Sequence, residues 1–209
     1  MNKPWFVVVI LLLLEATVIL LLIPGDWTKK QIHIEQKYVE QTLGEDTREW
    51  VKKRANGWYN YAILDSGFYE GALNTLIPTE TEKKRSRGME KMGQDWFAWV
   101  EGRLNAFMNA AYQFFSRLAL LMAWLPYMLI LFIPASYDGL MTWKIKRTNF
   151  DYSSPVMHRY AVRGASYLVF GLLAAFMAPI ALNPIIIPVA LMGTIVLIGL
   201  AMGNVQKRI

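Results

Sequence analysis

The feature that most constrains this chain is a set of four apolar blocks, each near the length of a bilayer crossing, set unevenly along 209 residues. The first, Trp5–Ile23, follows Lys3 and is closed by Pro24-Gly25. Its nineteen residues, at about 1.5 Å of helical rise each, cover roughly the 30 Å of a hydrocarbon core. A cleaved signal peptide would carry a shorter apolar core and a small-x-small cleavage site. Ile23-Pro24-Gly25-Asp26 offers none, so 5–23 reads as a retained transmembrane helix. The second span, 118–134, begins after Arg117 and closes at Pro134, with Pro126 tolerable inside a membrane helix. The third covers 166–182 and the fourth 185–203, separated by Asn183-Pro184, a turn signal suited to a tight helical hairpin. Pro179, Pro184 and Pro188 leave a re-entrant or interfacial path open as the alternative. The fold class expected is an all-α membrane protein of four transmembrane helices, with a helical exterior (periplasmic) domain between the first and second.

The net charge of +6 invites a nucleic-acid reading, but its distribution argues otherwise. Residues 24–117 hold fourteen Lys and Arg against thirteen Asp and Glu. The excess lies on short segments beside the apolar blocks, where positive charge sets topology. The 135–165 loop carries Lys144, Lys146, Arg147, Arg159 and Arg163, the C-terminus Lys207 and Arg208, and the N-terminus Lys3. With four spans these eight cations share one side, which predicts cytoplasmic termini in a bacterial inner membrane and a periplasmic 24–117 segment. These cations are accordingly read as topology-setting and lipid-facing. The chain has no cysteine, so disulfides, thiolate metal sites and a Cys nucleophile are excluded.

The 24–117 segment reads as helical. Ile32, Val39 and Leu43 form one apolar stripe over 28–43, which Gly44 ends. Asp46 and Glu49 have capping-box spacing and predict a second helix to about Asn56-Gly57, followed by a loop region with the basic run Lys83–Arg87. From Met89, apolar residues recur at spacings of three and four through Trp96, Val100, Leu104 and Phe107 to Leu118. That pattern predicts one long amphipathic helix running unbroken into the second span. Trp96, Trp99 and Phe107 are candidates either to cover the preceding helices or to form a partner or self-association face.

Candidate chemistry is sparse. Glu15 stands near the middle of the first span, where a carboxylate costs about 2.5–3.5 kcal/mol on the insertion scale and must be protonated or paired. Tyr127, Tyr167, Asn183 and Thr194 are its intramolecular candidates, and a partner's transmembrane helix is the intermolecular one. Gly171-x-x-x-Ala175 and Gly199-x-x-x-Gly203 permit close helix packing. The two histidines, His33 and His158, fall on opposite sides of the membrane, so a shared metal site is not expected. No phosphate loop, nucleophile elbow or paired-carboxylate motif occurs, and neither a cofactor nor an enzymatic activity is expected.

The layout of one span, a helical exterior segment of some ninety residues and three further spans carries a family resemblance. So do the run Glu35–Glu40, the triplet Arg48-Glu49-Trp50 and the flanks Trp143–Arg147 and Tyr160–Arg163. Together they resemble the inner-membrane family of integrating conjugative elements and conjugative plasmids, with its TraJ-type proteins encoded beside the type IV coupling protein. The resemblance implies a non-catalytic accessory of that hexameric, TraD/TraG-type DNA-translocating ATPase, with no catalytic residues to carry over. Its other expected associations are membrane lipid and a homo-oligomer, without direct nucleic-acid binding. The competing readings are a transporter or channel component, disfavoured because Glu15 is nearly alone among the spans, and a sensor or assembly subunit of another envelope complex.

Overall fold

Helix is the regular structure formed throughout the described residues, which in this computed structural model are 4–76, 90–149 and 151–206; no strand occurs among them. Helix α1, Pro4–Leu22, ends just before Pro24, which disfavours helical geometry at the residue preceding it and takes up an extended conformation itself. Helix α2, Gly25–Leu43, ends at Gly44, whose φ of 88° suits a residue without a Cβ. Helix α3, Glu45–Tyr59, restarts at once. Gly44 takes the cap position and Asp46 lies in the first turn, so the expected side-chain capping box is not formed; Glu45 and Asp46 instead place negative charge at the helix N-terminus. Arg48 bridges the corner by reaching Glu40 of α2 at 2.7 Å and Glu45 at 3.1 Å.

A π-helical turn, Asn60–Leu64, extends α3, and α4 spans Phe68–Leu76, so much of the expected loop is helical. Lys83–Arg87 and Met89 lie outside the described residues. Helix α5 then runs from Glu90 to Thr148 with Pro126 and Pro134 inside it. The drop in apolar content at Pro134 therefore marks an edge in composition and not the end of the helix. Helix α6 covers Pro155–Met177. Its start has a sequence cause: Ser154 Oγ accepts from the Met157 N–H at 3.3 Å, and Pro155 occupies the first helical position. Only 149–154 separate α5 from α6, so most of the segment expected as a 135–165 loop is helical. Helix α6 stops five residues short of the expected Leu182, because Pro179 has no N–H and biases its predecessor away from helix. Helix α7 is Ile186–Gly203.

Among the described residues three stretches are long and apolar enough to cross a membrane: Trp96–Thr148 of α5, all of α6 and all of α7. Helix α1, nineteen residues long, is apolar along its length apart from Glu15 and Thr17.

The chain forms two compact units, Met1–Ala119 with Phe176–Leu182, and Leu120–Ala175 with Asn183–Ile209. In the first unit, Thr28, Glu35 and Val39 are the buried residues of α2, and Ala106, Ala110, Gln113 and Arg117 lie buried on one face of α5. The two helices run in the same direction: a Cβ on Gly25 would lie 3.2 Å from Gly102 O, and Asn109 Nδ2 donates to Thr28 Oγ1 at 3.1 Å. In the second unit α7 runs parallel to the C-terminal half of α5 and antiparallel to α6. A Cβ on Gly139 would lie 2.6 Å from Gly199 O and one on Gly203 3.2 Å from Thr142 Cγ2, while Gly164 faces Leu197 and Gly193 faces Leu168.

Candidate functional site

Three polar residues on largely apolar faces, Glu35, Gln113 and Arg117, build the centre of the first unit. Glu35 falls between Ile32 and Val39 on the inward stripe of α2, and Gln113 and Arg117 continue the inward face of α5 beyond Ala106 and Ala110. Arg117 is 0% exposed and Glu35 5%. A guanidinium in that position requires partners for each of its five N–H groups, and the fold supplies them. Nε donates to Glu35 Oε1 at 2.9 Å and Nη2 to Glu35 Oε2 at 2.8 Å, a bidentate fork. Nη1 donates to the carbonyls of Phe176 at 3.0 Å and Ala178 at 2.7 Å, and Nη2 also donates to that of Ile180.

Those carbonyls become available because α6 breaks. The last carbonyls of a helix have no partner inside it, and its C-terminus attracts positive charge. Pro179 prevents the chain from satisfying them by continuing, so Arg117 does so from the side. Gln113 Nε2 completes the shell by donating to Glu35 Oε2 at 2.6 Å and to Ile180 O at 3.2 Å. Gln31 Oε1 accepts from the Ala181 N–H at 3.1 Å, and Glu35 Oε2 from that of Leu182 at 3.5 Å. A buried pair so fully engaged has no donor left for a substrate. Its chemistry is positional: it ties α2 and α5 to the 176–182 strap.

Glu15 lies part-buried on α1, and Arg117 is the cation acting on its carboxylate electrostatically. Among the described residues no hydrogen bond reaches that carboxylate from the candidates weighed above. Trp96 and Trp99 stand 58% and 40% exposed, their rings stacked at 5.2 Å, with the Arg103 guanidinium 5.2 Å over Trp99. Phe107, further along α5, is part-buried. Nearby in the same unit, Tyr59 meets Tyr112 edge-to-face at 5.8 Å, and burial, with a smaller contribution from Tyr69, raises the Tyr59 phenol above its ordinary value.

Gly199 and Gly203 sit against Ala135, Gly139 and Thr142 of α5, whereas Gly171 faces open space and Ala175 is part-buried. Lys146 Nζ donates to Asn204 Oδ1 at 3.0 Å, and Arg147 lies 5.5 Å over the Trp143 ring. Lys144, Arg159 and Arg163 are exposed, while Lys207 and Arg208 fall outside the described residues. Among the described residues no group of three or more His, Asp or Glu side chains is placed to hold a metal ion.

Reading by composition missed Glu35, Gln113 and Arg117. Composition alone places Glu35 in a run of charged residues, Glu35–Glu40, and Arg117 at the flank of the second span. The available signal was positional, since each occupies an inward register of its helix.

The sequence profile of a family described as IncC plasmid conjugative DNA transfer protein DtrJ-like matches residues 27–208. The match includes Glu35, Gln113, Arg117 and the 176–182 strap, and begins after Glu15. No curated protein and no solved structure matches the chain.

Proposed function

Because the chain belongs to this DtrJ-like family of conjugative DNA transfer proteins, we propose that it is a non-catalytic inner-membrane subunit that docks the type IV coupling ATPase to the transfer machine. The observation that carries this reading is the match itself, over 27–208, in a chain whose described residues include three helices apolar and long enough to cross a membrane. In this reading α1 is the fourth crossing, both termini are cytoplasmic, and α2 to α4 with the first half of α5 stand on the periplasmic side. The positive-inside bias of Lys144, Lys146, Arg147, Arg159 and Arg163 supports that orientation.

Two features support docking by the membrane helices and the exterior aromatic pair. Glu15 offers a carboxylate on α1 that no neighbour among the described residues hydrogen-bonds, and a partner's anchor helix can supply a donor. Trp96 and Trp99 present stacked indoles at the surface, the residue type enriched at interface hot spots. The test is affinity purification of the tagged chain in mild detergent from conjugation-competent donor cells. The coupling ATPase is expected to co-migrate, and transfer frequency is expected to collapse when the gene is deleted. A chain that purifies without the ATPase and supports solute flux in liposomes rejects the reading in favour of a transporter.

A further inference from the structure

Residues of α6 and α7, with Val205 just beyond, line an apolar groove of about 480 Å³ in the second unit, among them Val162, Val169, Phe170, Ile198 and Met202, with His158 at one end. We propose that this groove is a binding site for the acyl chain of an anionic phospholipid whose phosphate is held by Arg159 and Arg163.

The walls are predominantly apolar. The hydroxyls that face the groove are already used within their own helices, Ser166 Oγ donating to Val162 O at 2.8 Å and Thr194 Oγ1 to Ala190 O at 2.8 Å. His158 Nδ1 is engaged with Ala201 O at 2.8 Å, a bond that pins α6 to α7 at the groove's end. What remains is hydrocarbon surface, which suits an alkyl chain.

The length fits one leaflet. From His158 to Phe170, α6 rises about 18 Å, close to half of a roughly 30 Å hydrocarbon core. A groove of that length, opening beside the first turns of a membrane helix, puts its mouth at headgroup depth.

The charge fits the mouth. Arg159 and Arg163 each follow a lining residue of α6, His158 and Val162, so they flank the groove at its His158 end without lining its wall. Both are exposed, and the first turn of α6 adds the positive end of the helix dipole. Basic pockets between transmembrane helices are suited to anionic lipid headgroups, and guanidinium groups bind phosphate oxygens in a bidentate fork. A partner's transmembrane helix would fill the apolar part but gives the two arginines no anion. This inference depends on the membrane placement of α6 and α7 and not on docking to the coupling ATPase.

The test is native mass spectrometry of the full chain, delipidated in detergent and titrated with phosphatidylglycerol or phosphatidylcholine. One phosphatidylglycerol is expected to bind with a roughly thirtyfold preference, about what two surface cations contribute. The paired substitution Arg159→Gln/Arg163→Gln is expected to abolish the preference, while Lys144→Gln/Arg147→Gln, exposed cations of α5, a helix that contributes no residue to the groove, leaves it intact. Val162→Trp, which fills the groove, is expected to remove binding of both lipids. Equal binding of the two lipids, or equal loss in both Arg and control pairs, overturns the proposal. So does a photo-crosslinker at position 162 that captures a protein and no lipid in native membranes.

Discussion

Removing Arg117 tests how the first unit is held together, and its cost follows from the bonds it makes. Arg117→Met leaves Glu35 buried without its counter-charge, a loss of about 3–5 kcal/mol for a broken buried pair. It also removes the Arg117 donors from the carbonyls of Phe176 and Ala178 and leaves Ile180 O with Gln113 as its remaining side-chain donor. Arg117→Lys keeps the charge but has three donors for five acceptors, so at least two bonds are lost, at about 1.5–3 kcal/mol per charge-assisted bond. It is therefore expected to cost about 3–6 kcal/mol and not to behave as a conservative change. Glu35→Gln keeps the shape and removes the charge, and should fall in the same range. The double substitution Arg117→Met/Glu35→Met removes both charges together and should cost well under the sum of its single substitutions.

The assay is hydrogen exchange by mass spectrometry on the detergent-solubilised chain, following peptides of α2 and of 176–182. A loss of 3 kcal/mol corresponds to more than a hundredfold faster opening of those amides. Peptides within α7 serve as the internal reference for the second unit. If Arg117→Met leaves exchange in α2 and the strap unchanged, the pair does not hold the unit and the reasoning fails.

Other outcomes follow from the same structure. Gly139→Ala forces a Cβ to 2.6 Å from Gly199 O and should lower thermal stability by about 1–3 kcal/mol, whereas Gly171→Ala meets nothing and should stabilise by up to about 1 kcal/mol. Glu15→Gln should preserve transfer frequency while Glu15→Leu reduces it, as measured by mating; equal transfer by both removes the hydrogen-bond role. Because burial raises the Tyr59 phenol, its stabilising contribution is complete below 10.0 and declines as pH rises through the folded value. Alkaline unfolding followed between pH 9 and about 12 should therefore be shallower in Tyr59→Phe.

What the sequence made legible was what local chemistry decides. Gly44 closes α2 because a positive φ costs glycine little, and the three- and four-residue spacing after Met89 is continuous with α5. Helix ends near proline were harder. Pro179 stops α6, where Pro126 and Pro134 do not stop α5, because a membrane helix tolerates proline when neighbouring groups satisfy the freed carbonyls. The polar centre was hidden for a different reason. Glu35 and Arg117 lie 82 residues apart, and nothing local pairs them. Only the inward register of each residue, and the orphaned carbonyls that a proline-broken helix must leave, pointed to a buried cation. Glu15 drew attention as the lone carboxylate of α1, yet the cation acting on it, Arg117, had been assigned to the flank of another span.

The central claim, that membrane helices of this conjugative transfer protein dock the coupling ATPase, is tested most directly by site-specific photo-crosslinking in living donor cells. Leu11 and Leu14, exposed on α1 beside Glu15, are the positions to carry the crosslinker. The account predicts an adduct whose mass and peptides identify the coupling ATPase, and its loss when Glu15→Leu is introduced in the same chain. Crosslinking confined to lipid, or to proteins other than the ATPase, from both positions in transfer-active cells would contradict it.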